Sequence, residues 1–216
     1  MNYYQDITLI SNAEINLGFL WQKVFQQVHI ALVENGYEYV RKEKNGTETT
    51  LRGSNIAVSF PCYADNAYPL GNKLRLLAQE QVLLEKLGIE KWLSRLLDYV
   101  KIDSIIAVPS SVSYAGFRQK RVKGEKRLEQ SLQKKAKHLA DKFGKDFNST
   151  LQDLKKKHVF NEEKLPYIQV ESQSNATADR KSRFKLFIEK AELADPQQGT
   201  FDCYGLSKIA TVPLFE

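Results

Sequence analysis

Cysteine is scarce in this chain. Cys62 and Cys203 stand alone, without a Cys-x-x-Cys spacing and without a histidine close to either. The sequence therefore argues against a disulfide framework and a zinc site, and each cysteine is expected to be a small buried apolar side chain. Long apolar runs are absent too: none approaches the roughly 20 residues that span a bilayer, and the start MNYYQDITLI lacks the segments of a signal peptide. We expect a cytoplasmic protein with no membrane partner.

Positive charge is unevenly distributed along the chain. The net charge is +6, yet ten lysine and arginine residues stand against only three acidic residues between Arg118 and Lys142. A local basic stripe in an otherwise balanced chain is typical of a protein that binds a polyanion. No bulky apolar face accompanies the stripe, which favours nucleic acid over a membrane surface. A solvated lysine-rich helix without a ligand is the alternative on composition alone.

The order of elements in the first half predicts a ferredoxin-like (RRM-like) domain over residues 1–108. Tyr3–Ile10 is expected to be a strand, and the following helix contains His29 and ends near Asn35 and Gly36. The remaining expected elements are a hairpin turn at Asn45-Gly46, strands at Ile56–Phe60 and near Leu74, a helix over 79–100 interrupted at Gly88, and a strand over 104–109. This order fits a four-stranded antiparallel sheet with two helices on one face.

Residues 109–216 are expected to form a smaller α+β RNA-binding domain. Pro109–Phe117 is rich in small and turn-forming residues, which predicts a linker, and 117–121 is expected to be a flexible approach to a basic helix. At about 100° per residue, Lys123, Arg127, Lys134 and Lys137 share one side of that helix, and Leu128, Leu132, Ala136, Leu139 and Phe143 share the opposite side. Strands are expected at LPYIQVESQS, FKLFIEK and FDCYGLSK, with a polar loop NATADRKS between the first two.

His29 stands in the segment FQQVHIALVENG, at the edge of a helical apolar stripe. Trp21, Phe25, Val28 and Leu32 recur at helical spacing, and His29 is four residues after Phe25. An imidazole in this place is either a half-buried structural side chain or a catalytic group. The spacing alone favours the structural interpretation.

Several motifs, in one order along nearly the whole chain, resemble those of a known family. They are MNYYQDI at the start, Phe-x-x-x-His-x-Ala-Leu at 25–32, VSFP at 58–61, a basic helix after a tyrosine-containing segment, SQS at 172–174, RFKLFI at 183–188, and CYGLSK at 203–208 followed by VPLF. In this combination the sequence resembles the CRISPR repeat-processing endoribonucleases of the type I-F system. CYGLSK is the most specific of these motifs.

This resemblance implies an enzyme that cuts repeat RNA at the 3′ base of a hairpin and stays bound to the product. It implies that no metal or other cofactor is needed. A ribose 2′-hydroxyl attacks the adjacent phosphate to give a 2′,3′-cyclic phosphate, and the matching catalytic positions are His29 and Ser172. Tyr204 resembles a family tyrosine that orients the histidine. The implied partners are the crRNA and the other subunits of the type I-F surveillance complex, with this chain as a monomeric subunit.

The residue types suit that chemistry. An imidazole, with an ordinary pKa of about 6.5, is the side chain best matched to take a proton from a ribose hydroxyl at neutral pH, so His29 is the expected general base. The hydroxyl of Ser172 can hold the attacking group in line. The phenol of Tyr204, with an ordinary pKa near about 10, is a weak acid for the leaving 5′-oxygen, which favours an orienting role.

RNA binding is assigned by the resemblance to three elements. Arg118, just before the basic helix, fits the position that contacts guanine through two hydrogen bonds; Lys120 stands where the family pattern has a glutamine, and Gln119 lies one place early. The basic helix is expected to contact mainly phosphates, because the major groove of A-form RNA is deep and narrow. Phe184 matches an aromatic residue that stacks on the closing base pair. The predicted RNA-binding residues are Arg118, Gln119, Lys120, Arg121, Lys123, Lys126, Arg127, Lys134, Lys135, Lys137, His138, Arg183 and Phe184.

Two alternatives to a nuclease remain. One is a non-catalytic RNA-hairpin-binding subunit that anchors the guide RNA in a ribonucleoprotein complex, and the other is a general RNA-recognition module. Residues 36–54 and 174–184 form longer segments than the family pattern has, which indicates a divergent branch.

Overall fold

The computed structural model describes residues 1–12, 14–42, 46–65, 68–121, 125–157, 165–177 and 180–215, and the side chains of residues 125–128, 157, 172–177 and 180–182 lie outside this description. The fold is α+β, as predicted, with five α-helices and three antiparallel sheets within these ranges. Among the described helices there is no candidate for a membrane-spanning segment.

Helices and strands are each numbered in chain order. The helices are α1 (Leu17–Glu34), α2 (Gln81–Leu87), α3 (Ile89–Trp92), α4 (Glu125–Phe143) and α5 (Phe147–Lys157), with a 3₁₀ turn at Ser94–Leu96. The strands are β1 (Tyr3–Leu9), β2 (Tyr37–Lys42), β3 (Glu48–Ser54), β4 (Ile56–Ser59), β5 (Lys73–Ala78), β6 (Val100–Ile102), β7 (Ile106–Ala107), β8 (Ser113–Lys120), β9 (Tyr167–Thr177), β10 (Arg180–Leu193), β11 (Phe201–Asp202) and β12 (Val212–Leu214).

The first sheet has the strand order β4-β5-β1-β6, and β7 also pairs with β1. All of these pairs are antiparallel. The predicted strands at Tyr3–Ile10 and Ile56–Phe60 are confirmed as β1 and β4. The predicted interruption of the helix over 79–100 is confirmed, because Gly88 adopts a left-handed φ of 55° that ends α2. The prediction is wrong in how far the helix continues, since α3 ends at Trp92 and only a 3₁₀ turn follows it.

Helix α1 follows β1 and ends near Asn35 and Gly36, as the sequence predicts. The side chain of Asn16 caps its start by accepting a hydrogen bond from the Phe19 N–H at 2.9 Å, and Asn35 is the C-cap. The apolar stripe, which includes Trp21, Phe25 and Val28, is fully buried, and each such side chain contributes about 1.5–3 kcal/mol. The helix lies against β1 of the first sheet and β9 of the second.

The second sheet has the order β12-β8-β10-β9 and is antiparallel throughout. The linker predicted at Pro109–Phe117 and the flexible segment predicted at 117–121 are both wrong from Ser113 onward, because Ser113–Lys120 is the strand β8. Ala115 and Phe117 are buried in the core, so this glycine- and serine-containing segment alternates as a strand does. The predicted loop at 175–182 is also shorter than expected, since β9 continues to Thr177 and β10 begins at Arg180.

A third sheet, in the order β11-β3-β2, joins a hairpin to the C-terminal part of the chain. The β2–β3 pairing confirms the predicted hairpin, although Asn45 in its turn lies outside the described residues. Strand β11 pairs Phe201 with Ser54 and Asp202 with Gly53. This pairing fixes the point at which the chain enters the CYGLSK segment.

The chain forms two compact units, Met1–Lys120 with Leu165–Glu216, and Arg121–Lys164. In the second unit α4 and α5 pack against each other. Leu132 and Ala136 of α4 are buried, whereas Lys134 and Lys137 are exposed, which confirms the predicted separation of apolar and basic faces for the described side chains. Phe143 is the exception, since 59% of it is exposed.

Candidate active site

The ring of His29 is half-buried and held by one backbone contact. Its Nδ1 lies 2.8 Å from the carbonyl oxygen of Cys203, 174 residues away in the chain. Because a carbonyl oxygen can only accept a hydrogen bond, Nδ1 must carry the proton in this contact. In the neutral ring the unprotonated nitrogen is then Nε2, which is the form that a general base requires.

A tight turn at residues 202–206 positions that carbonyl. The Asp202 carboxylate accepts hydrogen bonds from the N–H groups of Tyr204 at 2.9 Å and Leu206 at 3.0 Å, and the Asp202 N–H donates to the Leu206 carbonyl at 2.8 Å. The turn is joined to β4, because the N–H of Val58 donates to the Gly205 carbonyl at 2.8 Å. Gly205 has a φ of +71°, and a Cβ there would lie 2.6 Å from Val58 Cγ2, so only glycine fits.

The same turn stacks the ring of Tyr204 on His29. The two ring centroids are 4.2 Å apart with an interplanar angle of 18°. Tyr204 also lies parallel to Phe25 at 6.5 Å and meets the edge of Phe184 at 6.5 Å and 76°. His29 is therefore oriented by a hydrogen bond in its plane and by a ring on its face.

Burial sets the protonation states in this cluster. Burial lowers the pKa of His29, and the hydrogen bond to the Cys203 carbonyl opposes that shift in part. Burial also raises the pKa of Tyr204 to about 12, with smaller contributions from Cys203 and Asp202. At neutral pH the imidazole is therefore mostly neutral and the phenol fully protonated. These are the states of a base and of a poor acid.

Gln26 connects α1 to the strand that carries Ser172. Its side-chain oxygen accepts from the Glu171 N–H at 2.9 Å, and its side-chain nitrogen donates to the Glu171 carbonyl at 3.3 Å. These contacts tie the helix of His29 to the residue next to Ser172. The side chain of Ser172 itself lies outside the described residues, so its pairing with His29 stays a prediction.

The predicted base-reading residues lie on β8 and β10. Strand alternation places Arg118 and Lys120 on one face of β8, where both pair with Glu189 of β10. Gln119, half-buried, points to the other face and pairs in register with the buried Ile188. On the β9–β10 hairpin the exposed Arg183 donates a hydrogen bond to the Glu171 carboxylate at 3.0 Å. Phe184, the next residue, contacts Tyr204, which stacks on His29.

The remaining predicted RNA-binding residues belong to the segment around α4. Arg121, Lys134, Lys135, Lys137 and His138 are exposed. Lys123 and the side chains of Lys126 and Arg127 lie outside the described residues. In the described part of the chain, no three His, Cys, Asp or Glu side chains group together as potential metal ligands.

Sequence reasoning missed several contributors to this site. Cys203 acts through its backbone carbonyl, Asp202 and Gly205 shape the turn, and Gln26 joins α1 to β9. The combination of an aspartate followed three residues later by a glycine is a turn signal that could have replaced the predicted strand over FDCYGLSK. No local signal marks the carbonyl or the Gln26 contact.

Comparison with known proteins gives one family. A protein-family model described as CRISPR-associated protein (Cas_Csy4) matches residues 4–215. Two curated relatives, each described as CRISPR-associated endonuclease Cas6/Csy4, are similar to the chain over its full length and theirs. The relative from Pseudomonas aeruginosa is 28% identical over 217 residues, and the relative from Escherichia coli is 26% identical over 220 residues. The family match includes both the helix of His29 and the 202–206 turn.

Proposed function

The chain belongs to the Cas_Csy4 family of CRISPR-associated proteins, and on this premise we propose that it is a metal-independent endoribonuclease that cleaves the repeat hairpin of type I-F precursor crRNA. The observation that carries the proposal is the hydrogen bond from His29 Nδ1–H to the Cys203 carbonyl at 2.8 Å. It leaves Nε2 as the proton acceptor, and Tyr204 stacks on the ring and restricts its rotation.

The proposed reaction is an in-line transesterification. Nε2 of His29 takes the proton of the ribose 2′-hydroxyl at the cleavage site, and the 2′-oxygen attacks the adjacent phosphorus. The bond to the 5′-oxygen then breaks, and this oxygen takes a proton from solvent water, while the protonated His29 returns its proton to the hydroxide that is left. The products are a 2′,3′-cyclic phosphate on one RNA end and a 5′-hydroxyl on the other. Ser172 is proposed to hold the attacking hydroxyl in line, and the high pKa of Tyr204 favours an orienting role over proton donation.

RNA recognition is proposed to come from three groups of residues. Phe184 is proposed to stack on the closing base pair of the stem, and its position beside Tyr204 favours this role. Arg118 is proposed to read guanine, and the exposed lysines of α4 to contact phosphates. We also propose that the product remains bound as the crRNA 3′ stem-loop, and that the protein acts as a cytoplasmic, monomeric subunit beside other type I-F subunits.

The finer fold assignment belongs to the same proposal. In chain order, the strands β4-β5-β1-β6 are the second, third, first and fourth of this antiparallel sheet. This order supports a ferredoxin-like arrangement. The division into a domain over 1–108 with the catalytic histidine and an RNA-binding domain over 109–216 stays a prediction.

Incubation of the protein with a CRISPR repeat hairpin in excess EDTA tests the proposed function. A product that ends in a 2′,3′-cyclic phosphate, identified by mass spectrometry, is the expected result. Tight binding with the RNA left intact identifies the alternative, a non-catalytic subunit that anchors guide RNA. Equal affinity for unrelated hairpins identifies a general RNA-recognition module.

Removing two exposed charges from α4 is expected to weaken hairpin binding about tenfold at moderate salt, because each lysine that meets a phosphate releases counterions. The double variant is Lys134→Gln with Lys137→Gln. The slope of log affinity against log salt is expected to become shallower by about one unit per lysine. Filter-binding titrations at several salt concentrations measure both quantities.

The matched control for this pair is Lys86→Gln with Lys91→Gln, which removes the same charge from exposed positions on α2 and α3. It is expected to leave the salt slope unchanged. Equal slopes in all three proteins would mean that this face of α4 does not meet the RNA.

A further inference from the structure

Glu189 occupies a place between two cations that the proposed function uses for RNA recognition. The antiparallel register sets Glu189 of β10 directly opposite Arg118 of β8, and Lys120 follows two residues later on the same face. One carboxylate oxygen accepts a hydrogen bond from Arg118 Nε, and the other accepts from Lys120 Nζ at 2.7 Å. Only 19% of the Glu189 side chain is exposed, against 47% of the Arg118 side chain. The carboxylate is therefore the more buried partner of this pair.

Glu189 stays ionised in this setting. The hydrogen bonds from Lys120 and then Arg118 lower its pKa below the ordinary range, so it carries a full negative charge at neutral pH. The three side chains together therefore carry one net positive charge instead of two. An incoming phosphate meets less attraction here than the two cations alone would provide.

The contact also selects which donors of Arg118 face outward. Glu189 binds Nε, and within the described part of the chain it is the only side-chain partner of Arg118. The two terminal nitrogens, Nη1 and Nη2, remain as a planar fork of donors. That fork matches two acceptors side by side on one base edge, as on guanine O6 and N7.

We propose that Glu189 is a specificity-determining positioning residue that directs Arg118 towards a guanine edge and away from phosphate. This inference rests on the proposed function. A base edge carries no net charge, so the carboxylate repels it far less than it repels a phosphate. Glu189 therefore weakens binding to RNA in general and sharpens the choice of base pair.

The test uses Glu189→Gln, which keeps the side-chain length and one acceptor oxygen but removes the charge. The probes are four RNA hairpins that are identical except for the base pair at the foot of the stem. The wild-type protein is expected to prefer the hairpin with the readable guanine by about tenfold, and the variant by about twofold or less. The variant is also expected to bind the other three hairpins more tightly than the wild type does, with a steeper salt slope.

The matched control is Glu192→Gln, which removes the same charge from the same strand, where Glu192 pairs with Lys190 at 2.8 Å. It is expected to retain the wild-type preference. Glu189→Ala is a second variant that is also expected to lose the preference for the hairpin with the readable guanine. Thermal unfolding of both variants shows whether they fold.

The outcomes separate this inference from the proposed function. If the wild type prefers one hairpin and Glu189→Gln keeps that preference, the inference is wrong and the function stands. An equal loss of affinity for all four hairpins would assign Glu189 a merely structural role and would also overturn the inference. If the wild type neither binds nor cleaves any hairpin, the proposed function itself fails.

Discussion

Alanine in place of His29 is expected to lower the single-turnover cleavage rate of a repeat hairpin by about 10²–10⁴-fold, the range that a general base contributes. Hairpin affinity is expected to stay within about threefold, because the phosphate contacts assigned to α4 do not involve this ring. The reason lies in the tautomer: Nδ1 is engaged by the Cys203 carbonyl, so Nε2 is the only ring nitrogen that can accept the 2′-hydroxyl proton. Single-turnover rates and filter-binding affinities measured on the same preparation check both parts.

Two controls make the His29→Ala result specific. Gln27→Ala changes a residue of α1 on another face of the helix and is expected to cleave at the wild-type rate. Added imidazole is expected to restore part of the rate of His29→Ala, since the variant leaves space where the ring was. Residual cleavage within tenfold of the wild type would remove His29 as the base.

The second large effect is expected at Tyr204, and it depends on which part of the side chain is removed. Tyr204→Ala is expected to lower the cleavage rate by about 10²-fold, because the loss of a stacking partner at 4.2 Å frees the His29 ring to rotate. Tyr204→Phe keeps the stack and is expected to retain the rate within about threefold. The hydroxyl is dispensable in this account because burial raises its pKa to about 12, far from that of an effective proton donor at neutral pH.

The comparison of the two Tyr204 variants decides between orientation and acid catalysis. If Tyr204→Phe is as slow as Tyr204→Ala, the hydroxyl takes part in the reaction and the orienting role is wrong. A substrate with a better leaving group than a ribose 5′-oxygen is a further check. With this substrate, the ratio of the cleavage rates of the wild type and Tyr204→Phe is expected to stay unchanged.

The sequence predicted α1, whose apolar residues recur at regular helical spacing, and missed β8, which contains turn-forming residues. The apolar stripe of α1, followed by Asn35 and Gly36, predicted that helix and its end. The strand β8 was missed because Ser113 and Gly116 are turn-forming residues, and only pairing with β10 and β12 makes them part of a sheet. In β8, pairing with the neighbouring strands therefore outweighed the preference of these residues for turns.

The sequence predicted that Tyr204 orients His29, but it did not predict the Asp202 side chain, the Gln26 side chain or the Cys203 carbonyl that support this pair. His29 and Tyr204 were identified through the family resemblance, and the structure stacks their rings. The Cys203 carbonyl has no sequence signature, because every residue has such a group and only the fold decides which one meets Nδ1. Glu189 gave no signal for the same reason: its partners Arg118 and Lys120 are about 70 residues away along the chain and become neighbours only through strand register.

The most direct test of the account is the protonation of His29 measured by ¹⁵N nuclear magnetic resonance. The His29 signals are assigned by their loss in His29→Gln. We expect the neutral ring to carry its proton on Nδ1, and the titration midpoint to lie below 6.5, since burial lowers this pKa and the neutral base therefore persists to lower pH. A neutral ring that carries its proton on Nε2 would contradict the claim that Nε2 takes the proton from RNA. A titration midpoint above 6.5 in the free protein would contradict it as well.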